Sequence, residues 1–292
     1  MPDFVRIFEM GPRDGLQNEA ALIALADKVA LVDKLSGCGF DHIEVTSFVS
    51  PKWVPQMADA SEVLARIKRA SGVAYTALTP NMRGYEAARV ARADEVAIFG
   101  SASEGFSKAN INCSIAESLE RFRPMVAAGL RDGIPVRGYV SCVVECPYDG
   151  VVRPEAVARV VAELLEMGCY EVSLGDTIGA GEPESVRAML EAVLQVVPAG
   201  KLAGHFHDTN GRAIENIEVS LAAGLRVFDA AIGGLGGCPY APGAAGNVDT
   251  LAVARRVGAL GFETGLDLGR LEEVAEFAKG LVGASTHPTE EL

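Results

Sequence analysis

One pattern repeats along this chain. A short apolar or β-branched run ends in polar or glycine residues, and an amphipathic helical stretch follows. Runs that read as strands lie at 5–9, 42–46, 74–78, 95–99, 136–144, 170–174, 202–206 and 227–232. The stretches between them read as helices near 24–36, 59–70, 84–91, 114–131, 154–167, 184–196 and 213–223, with another after Asn247. A longer polar loop is expected around Lys108, Asn110 and Asn112, and a last amphipathic piece at 268–281. Strand–helix units in series, with no Pro/Gly/Ser linker, predict an α/β chain closed into a (β/α)8 TIM barrel with an extra C-terminal helix. Residues 1–292 are expected to form one catalytic barrel, with the helical extension at about 265–292. An open doubly wound sheet is disfavoured, because no glycine-rich phosphate turn follows the first strand.

Hydrophobic residues make up 49% of the chain, enough for a large core. Lys plus Arg number 26 against 39 Asp plus Glu, a net charge of −13. That balance argues against nucleic acid or an anionic membrane as partner. An anionic substrate would need a local basic patch. No apolar run approaches the roughly 20 residues that span a bilayer. The first strand starts almost at Met1, so no targeting leader is expected. Six cysteines lack the close pairing of a zinc site and read as free thiols of a reducing cytoplasm.

In a barrel of this kind the active site lies where the strands end. The unusual polar residues fall there: Arg13 and Asp14 after the first strand, Glu44 on the second, Asp176 after the sixth. His205 and His207 are on the seventh, and Cys238 and Asn247 follow the eighth. Residues two apart on a strand share a face, so the two imidazoles point the same way. They fit either a metal grip or a pair of polar strand-end residues. The first, seventh and eighth strands are neighbours in a closed barrel. Asp14, His205, His207 and Asn247 can therefore meet, and their joint placement favours the metal reading. Oxygen and nitrogen donors without a thiolate suit Mg²⁺ or Mn²⁺. Arg13, next to a ligand, is suited to hold a developing oxyanion. Cys238 sits among glycines in a loop that leaves its thiol accessible for proton transfer or nucleophilic attack. Glu44 reads either as the carboxylate that orients Arg13 or as a simple structural ion pair.

These residues carry a family resemblance. The chain resembles 3-hydroxy-3-methylglutaryl-CoA (HMG-CoA) lyases in the stretches starting Gly11-Pro-Arg-Asp-Gly-Leu-Gln-Asn, Glu44-Val-Thr-Ser-Phe-Val-Ser-Pro-Lys-Trp-Val and Asn110-Ile-Asn-Cys. It does so again at Ser173-Leu-Gly-Asp-Thr-Ile-Gly, His205-Phe-His-Asp and Gly234-Leu-Gly-Gly-Cys-Pro-Tyr-Ala. Leu16 stands where related acyl-CoA condensing enzymes usually carry Glu. The resemblance implies a divalent-metal retro-Claisen cleavage giving acetyl-CoA and acetoacetate. It implies Asp14, His205, His207 and Asn247 as metal ligands, Arg13 as enolate stabiliser and Cys238 as general acid. His205, Asp176 or a water is the implied base. Gln17, Asn110, Tyr139, Ser173 and Thr177, together with Arg13, match substrate-pocket positions. Lys52 and Lys108 are placed for the CoA phosphates. A homodimer or larger homo-oligomer is expected. A lyase for a bulkier 3-alkyl substrate, a condensing enzyme and a non-catalytic scaffold are the alternatives. The family often has Thr-Glu-Asp after its asparagine ligand, whereas Thr250 here is followed by Leu251 and Ala252.

Overall fold

The computed structural model describes residues 3–19, 22–238 and 241–284; the side chains of 237–245 and 283–284 are outside the description. Eight parallel strands close into a barrel: β1 (Arg6–Glu9), β2 (His42–Ser47), β3 (Ala74–Leu78), β4 (Glu95–Ser101), β5 (Val136–Ser141), β6 (Val172–Asp176), β7 (Leu202–Phe206) and β8 (Val227–Ala230). β1 closes the ring by pairing with β2 on one side and β8 on the other. Helices outside and packed side chains inside bury both faces of each strand. That is why the strands read as continuous apolar runs rather than as alternating ones.

The helices follow the expected units. α1 (Leu25–Leu35), α2 (Ala60–Arg66) and α3 (Met82–Val90) follow the first three strands. After β4 come α4 (Glu104–Ile111) and α5 (Ile115–Asp132). α6 (Pro154–Met167), α7 (Pro183–Leu194), α8 (Ala213–Ala222) and α9 (Thr250–Ala259) complete the ring. α10 (Leu268–Ala284) packs on α1 and α9, burying Leu271, Ala275 and Ala278.

Two expectations are corrected. Residues 104–111 are helical rather than a polar loop. The Ser103 side chain caps the helix and Asn112 ends it in the left-handed conformation, φ 52°. The fifth strand stops at Ser141 and does not run to 144. Cys142 has φ 59°, which breaks the extended backbone, and the chain turns into a small hairpin of Glu145–Cys146 and Gly150–Val151. The five cysteines with described side chains are all buried and free. Among the described residues, no helix is long and apolar enough to cross a membrane.

The barrel interior carries charge as well as hydrocarbon. Arg137 is fully buried and pairs with Glu171 and Asp229, each at 2.8 Å. Its guanidinium lies 4.2 Å from the Phe8 ring centre and 5.2 Å from that of Tyr139. Deeper, where the strands begin, His42 is held between Asp41 at 2.9 Å and Glu95 at 3.2 Å. Burial opposes its charge, but hydrogen bonds to Asp41 and Glu95 outweigh that and raise the pKa to about 9. A folded value above the unfolded one gives stability that is complete below pH ~6.5 and lost as pH rises through about 9. The effect is expected to be on the order of 2 kcal/mol. Melting temperature should fall from pH 7 to 9.5 more steeply for wild type than for His42→Gln. Parallel curves would remove His42 as the source.

Candidate active site

β1 ends in a single turn of π-helix, Gly11–Gly15, in which the Gly15 N–H reaches the Met10 carbonyl at 3.2 Å. Widened turns of this type occur often at functional sites. This one presents Arg13 and Asp14 side by side at the barrel mouth. Across from it, β7 places His205 and His207 with ring centres 5.3 Å apart. Their Nε2 atoms lie 3.8 and 3.9 Å from Asp14 Oδ2. One donor atom from each of Asp14, His205 and His207 lies within 4.8 Å of the others, the spacing of groups that grip one ion. Asn247 completes the ring. Its Nδ2 donates to Asp14 Oδ2 at 2.8 Å and to the Leu235 carbonyl at 3.3 Å. Gly236, at φ 104°, allows this closeness, since a Cβ there would stand 2.9 Å from the Asn247 amide nitrogen.

The charges of the site are arranged from behind. Burial opposes ionisation of Asp14, but Arg13 and the two imidazoles outweigh it and hold the carboxyl well below its usual range. Burial likewise opposes the Arg13 charge, yet Asp14 and Glu44 keep the guanidinium firmly protonated. Glu44 Oε2 accepts from Arg13 Nε at 2.8 Å and meets Nη2 at 2.7 Å. The Tyr139 hydroxyl donates to the same oxygen at 3.3 Å. Glu44 thus acts as the orienting carboxylate of Arg13, and Arg13 Nη1 also bonds Asp14.

The two histidines differ in their support. His205 Nδ1 meets Asp229 Oδ2 at 3.1 Å, which sets Nδ1–H as donor and leaves Nε2 free to coordinate. Asp229 is itself held by Arg137 and by the Ser173 hydroxyl at 2.7 Å. His207 lacks such support among the described residues, where its Nδ1 is buried without a hydrogen-bond partner. Burial and the nearby His205 lower its pKa to about 4, so it is neutral near pH 7. A neutral imidazole, a carboxylate and a polarised imidazole form a donor set that fits a divalent ion.

These groups line one side of a cavity of about 310 Å³. Val49, Val54, Leu78, Phe99 and Phe106 form an apolar wall of the same cavity. Of the pocket residues expected from sequence, Gln17, Asn110, Tyr139, Ser173 and Thr177 all line it. Gln17 reaches Asp14 Oδ1 at 3.3 Å. The Ser173 hydroxyl donates a hydrogen bond to Asp229, and the Thr177 hydroxyl accepts from the Cys142 N–H at 2.8 Å. Asp176 lies off the wall. Its carboxylate accepts from the N–H groups of Ala180 at 3.1 Å and Gly181 at 2.8 Å, and burial raises its pKa to about 6. The Cys238 side chain is outside the described residues; its backbone pairs with Ala241 in a two-stranded turn beyond β8. Asp229, Arg137 and the apolar wall were not among the expected residues.

The model of the family described as HMGL-like matches residues 4–278. The chain belongs to that family. It is 54% identical, over 98% of its length and 95% of the relative's, to the 3-hydroxy-3-isohexenylglutaryl-CoA/hydroxy-methylglutaryl-CoA lyase of Pseudomonas aeruginosa. It is 54% identical, over 92% of its length and 90% of the relative's, to the hydroxymethylglutaryl-CoA lyase of Pseudomonas mevalonii. Among solved structures, the HMG-CoA lyase from Brucella melitensis superposes with a TM-score of 0.96 at 63% identity, covering 96% of this chain and 99% of that one. The HMGL-like membership and the barrel agree with the expectation from sequence.

Proposed function

We propose that this protein is a divalent-metal lyase that cleaves 3-hydroxy-3-methylglutaryl-CoA to acetyl-CoA and acetoacetate. The observation that carries the reading is the cluster of Asp14, His205 and His207 facing one point of the cavity with Arg13 beside it. Asp14, His205, His207 and Asn247 would hold Mg²⁺ or Mn²⁺, Asn247 through Oδ1 after its amide turns over. Bound there, the ion would lower the pKa of the substrate's tertiary hydroxyl, so that it ionises near neutral pH.

The remaining steps belong to the chain. Loss of the hydroxyl proton lets the C2–C3 bond break and leaves charge on the thioester oxygen. Arg13, fixed by Glu44 and Tyr139, faces the cavity with a protonated guanidinium suited to that oxygen. Cys238 is assigned the return of a proton to the carbon. Of the candidate bases, His205 would give Nε2 to the ion and keeps its Nδ1–H on Asp229, and the carboxylate of Asp176 is taken up by two backbone amides, which leaves a water to take the hydroxyl proton. Asp229 keeps His205 in one tautomer. The reading takes residues 1–292 as one catalytic unit, an acyl-CoA as substrate, a homo-oligomer as the assembly and the cytoplasm as its place.

A second reading has its own support. The apolar wall of Val49, Val54, Leu78, Phe99 and Phe106 suits a larger 3-alkyl group. The P. aeruginosa relative is also named for a 3-isohexenyl substrate.

The test is incubation of Mg²⁺-loaded protein with HMG-CoA and, separately, with the 3-isohexenyl homologue, assaying acetoacetate and acetyl-CoA. Acetoacetate from HMG-CoA supports the first reading. Turnover of the larger homologue alone supports the second, and no cleavage of either removes both. Cys238→Ser should lower kcat by about 10²–10⁴-fold with metal content unchanged. Loss of metal instead would make Cys238 a ligand.

A further inference from the structure

Glu9, the last residue of β1, is fully buried and touches none of the metal donors, yet its bonds reach the segments that carry two of them, Asp14 and Asn247. Oε1 accepts from the Gly11 N–H at 2.8 Å and from the Ile232 N–H at 2.9 Å. Oε2 accepts from the Thr250 hydroxyl at 2.7 Å. Gly11 opens the turn that bears Arg13 and Asp14. Ile232 precedes Gly233 and Gly234, both at φ 66°, where the chain sets out toward Cys238. Thr250 begins α9, three residues past Asn247. Since Asn247 donates to Asp14, the carboxylate closes a ring that runs Glu9, Gly11, Asp14, Asn247, Thr250 and back.

The fit is tight. A Cβ on Gly11 would stand 2.7 Å from Glu9 Oε1 and 3.0 Å from the Ile232 side chain. It is also costly, because burial, only partly offset by these hydrogen bonds, leaves the Glu9 pKa raised to about 7. An apolar side chain would fill this space without that cost. What it would lack is an acceptor for three donors from three separate segments.

We propose that Glu9 is a positioning residue for the metal site, setting the Gly11–Gly15 turn and the Asn247 segment at the spacing at which their donors share one ion. This rests on the metal reading given above. It differs from a merely structural role in its sensitivity to geometry. Glu9→Gln keeps a carbonyl oxygen for Gly11 and Ile232 and turns its NH₂ to Thr250, whose hydroxyl can accept. Glu9→Asp keeps the charge but is one carbon too short to reach all three donors. Glu9→Leu fills the space with no acceptor.

The experiment is calorimetric titration of Mn²⁺ into wild type and the three variants, with melting temperature and kcat and KM for HMG-CoA measured alongside. Wild type and Glu9→Gln should bind Mn²⁺ within threefold of each other. Glu9→Asp and Glu9→Leu should bind it at least tenfold more weakly, with kcat falling more than KM changes. Glu9→Asp carries the test if the Leu variant does not fold. Wild-type affinity in Glu9→Asp overturns the proposal, as does equal weakening in Glu9→Gln. If wild type itself takes up no Mn²⁺, the metal reading falls, and the role of Glu9 falls with it.

Discussion

Arg13→Gln is expected to lower kcat for HMG-CoA by about 10³-fold while leaving Mn²⁺ affinity within a few-fold of wild type. Arg13 is 6% exposed, and two of its guanidinium nitrogens are fastened to Glu44 Oε2. It is therefore aimed before substrate arrives, and little reorganisation is needed when charge develops. Glutamine is two bonds shorter and has neither the charge nor the fork. The loss should appear in kcat and kcat/KM together, the pattern of a contact made in the transition state. Metal affinity should hold, because Asp14 keeps its carboxylate and loses only a competing cation. Steady-state kinetics with a parallel Mn²⁺ titration decide it. A kcat near wild type ends the assignment of Arg13 to the oxyanion.

Asp229→Asn is expected to weaken Mn²⁺ binding by about 10–100-fold although Asp229 is not a ligand. The carboxylate does two things at once. It takes the Nδ1 proton of His205 at 3.1 Å and balances the buried Arg137 at 2.8 Å. An amide in its place offers a neutral oxygen and a competing N–H, so His205 loses its preferred tautomer. Arg137 keeps Glu171 as its remaining carboxylate, beside the Tyr139 hydroxyl. A buried cation short of one partner costs about 3 kcal/mol, which a denaturant titration would read. Nitrogen NMR of His205 separates the two effects: tautomer mixing should accompany the loss of metal affinity. Unchanged affinity, with only stability reduced, would confine Asp229 to the core.

Much of this architecture was legible because barrel strands are short, buried on both faces and separated by helices of opposite periodicity. Where the reading failed, local chemistry had overridden the pattern. Residues 104–112 mix Gly105, Ser107, Lys108 and two Asn with few apolar residues, and only the Ser103 cap and the left-handed Asn112 mark them as a helix. The apolar run of the fifth strand continues past Ser141, and nothing in Cys142-Val143-Val144 announces the positive φ that ends pairing. Most of the site residues stood out because they gather at strand exits, where polar residues have little structural reason to collect, although Glu44 and His205 lie on their strands. Asp229, Arg137 and Glu9 lie within strands and passed as ordinary. A signal was present: a charge in the middle of an otherwise apolar barrel strand must find its partner inside. What remained illegible was the partner, since register and not sequence spacing brings Asp229 level with His205 across β7 and β8.

Asp14 and Asn247 meet although 233 positions separate them, and Glu9 and Thr250 although 241 do. On a ribosome, the N-terminal donor emerges first and waits for nearly the whole chain. A nascent polypeptide that has reached residue 200 holds Asp14 but neither histidine nor Asn247. On the metal reading proposed above, no fragment short of Asn247 would present all four ligands, so metal uptake would report only on a barrel that has already closed.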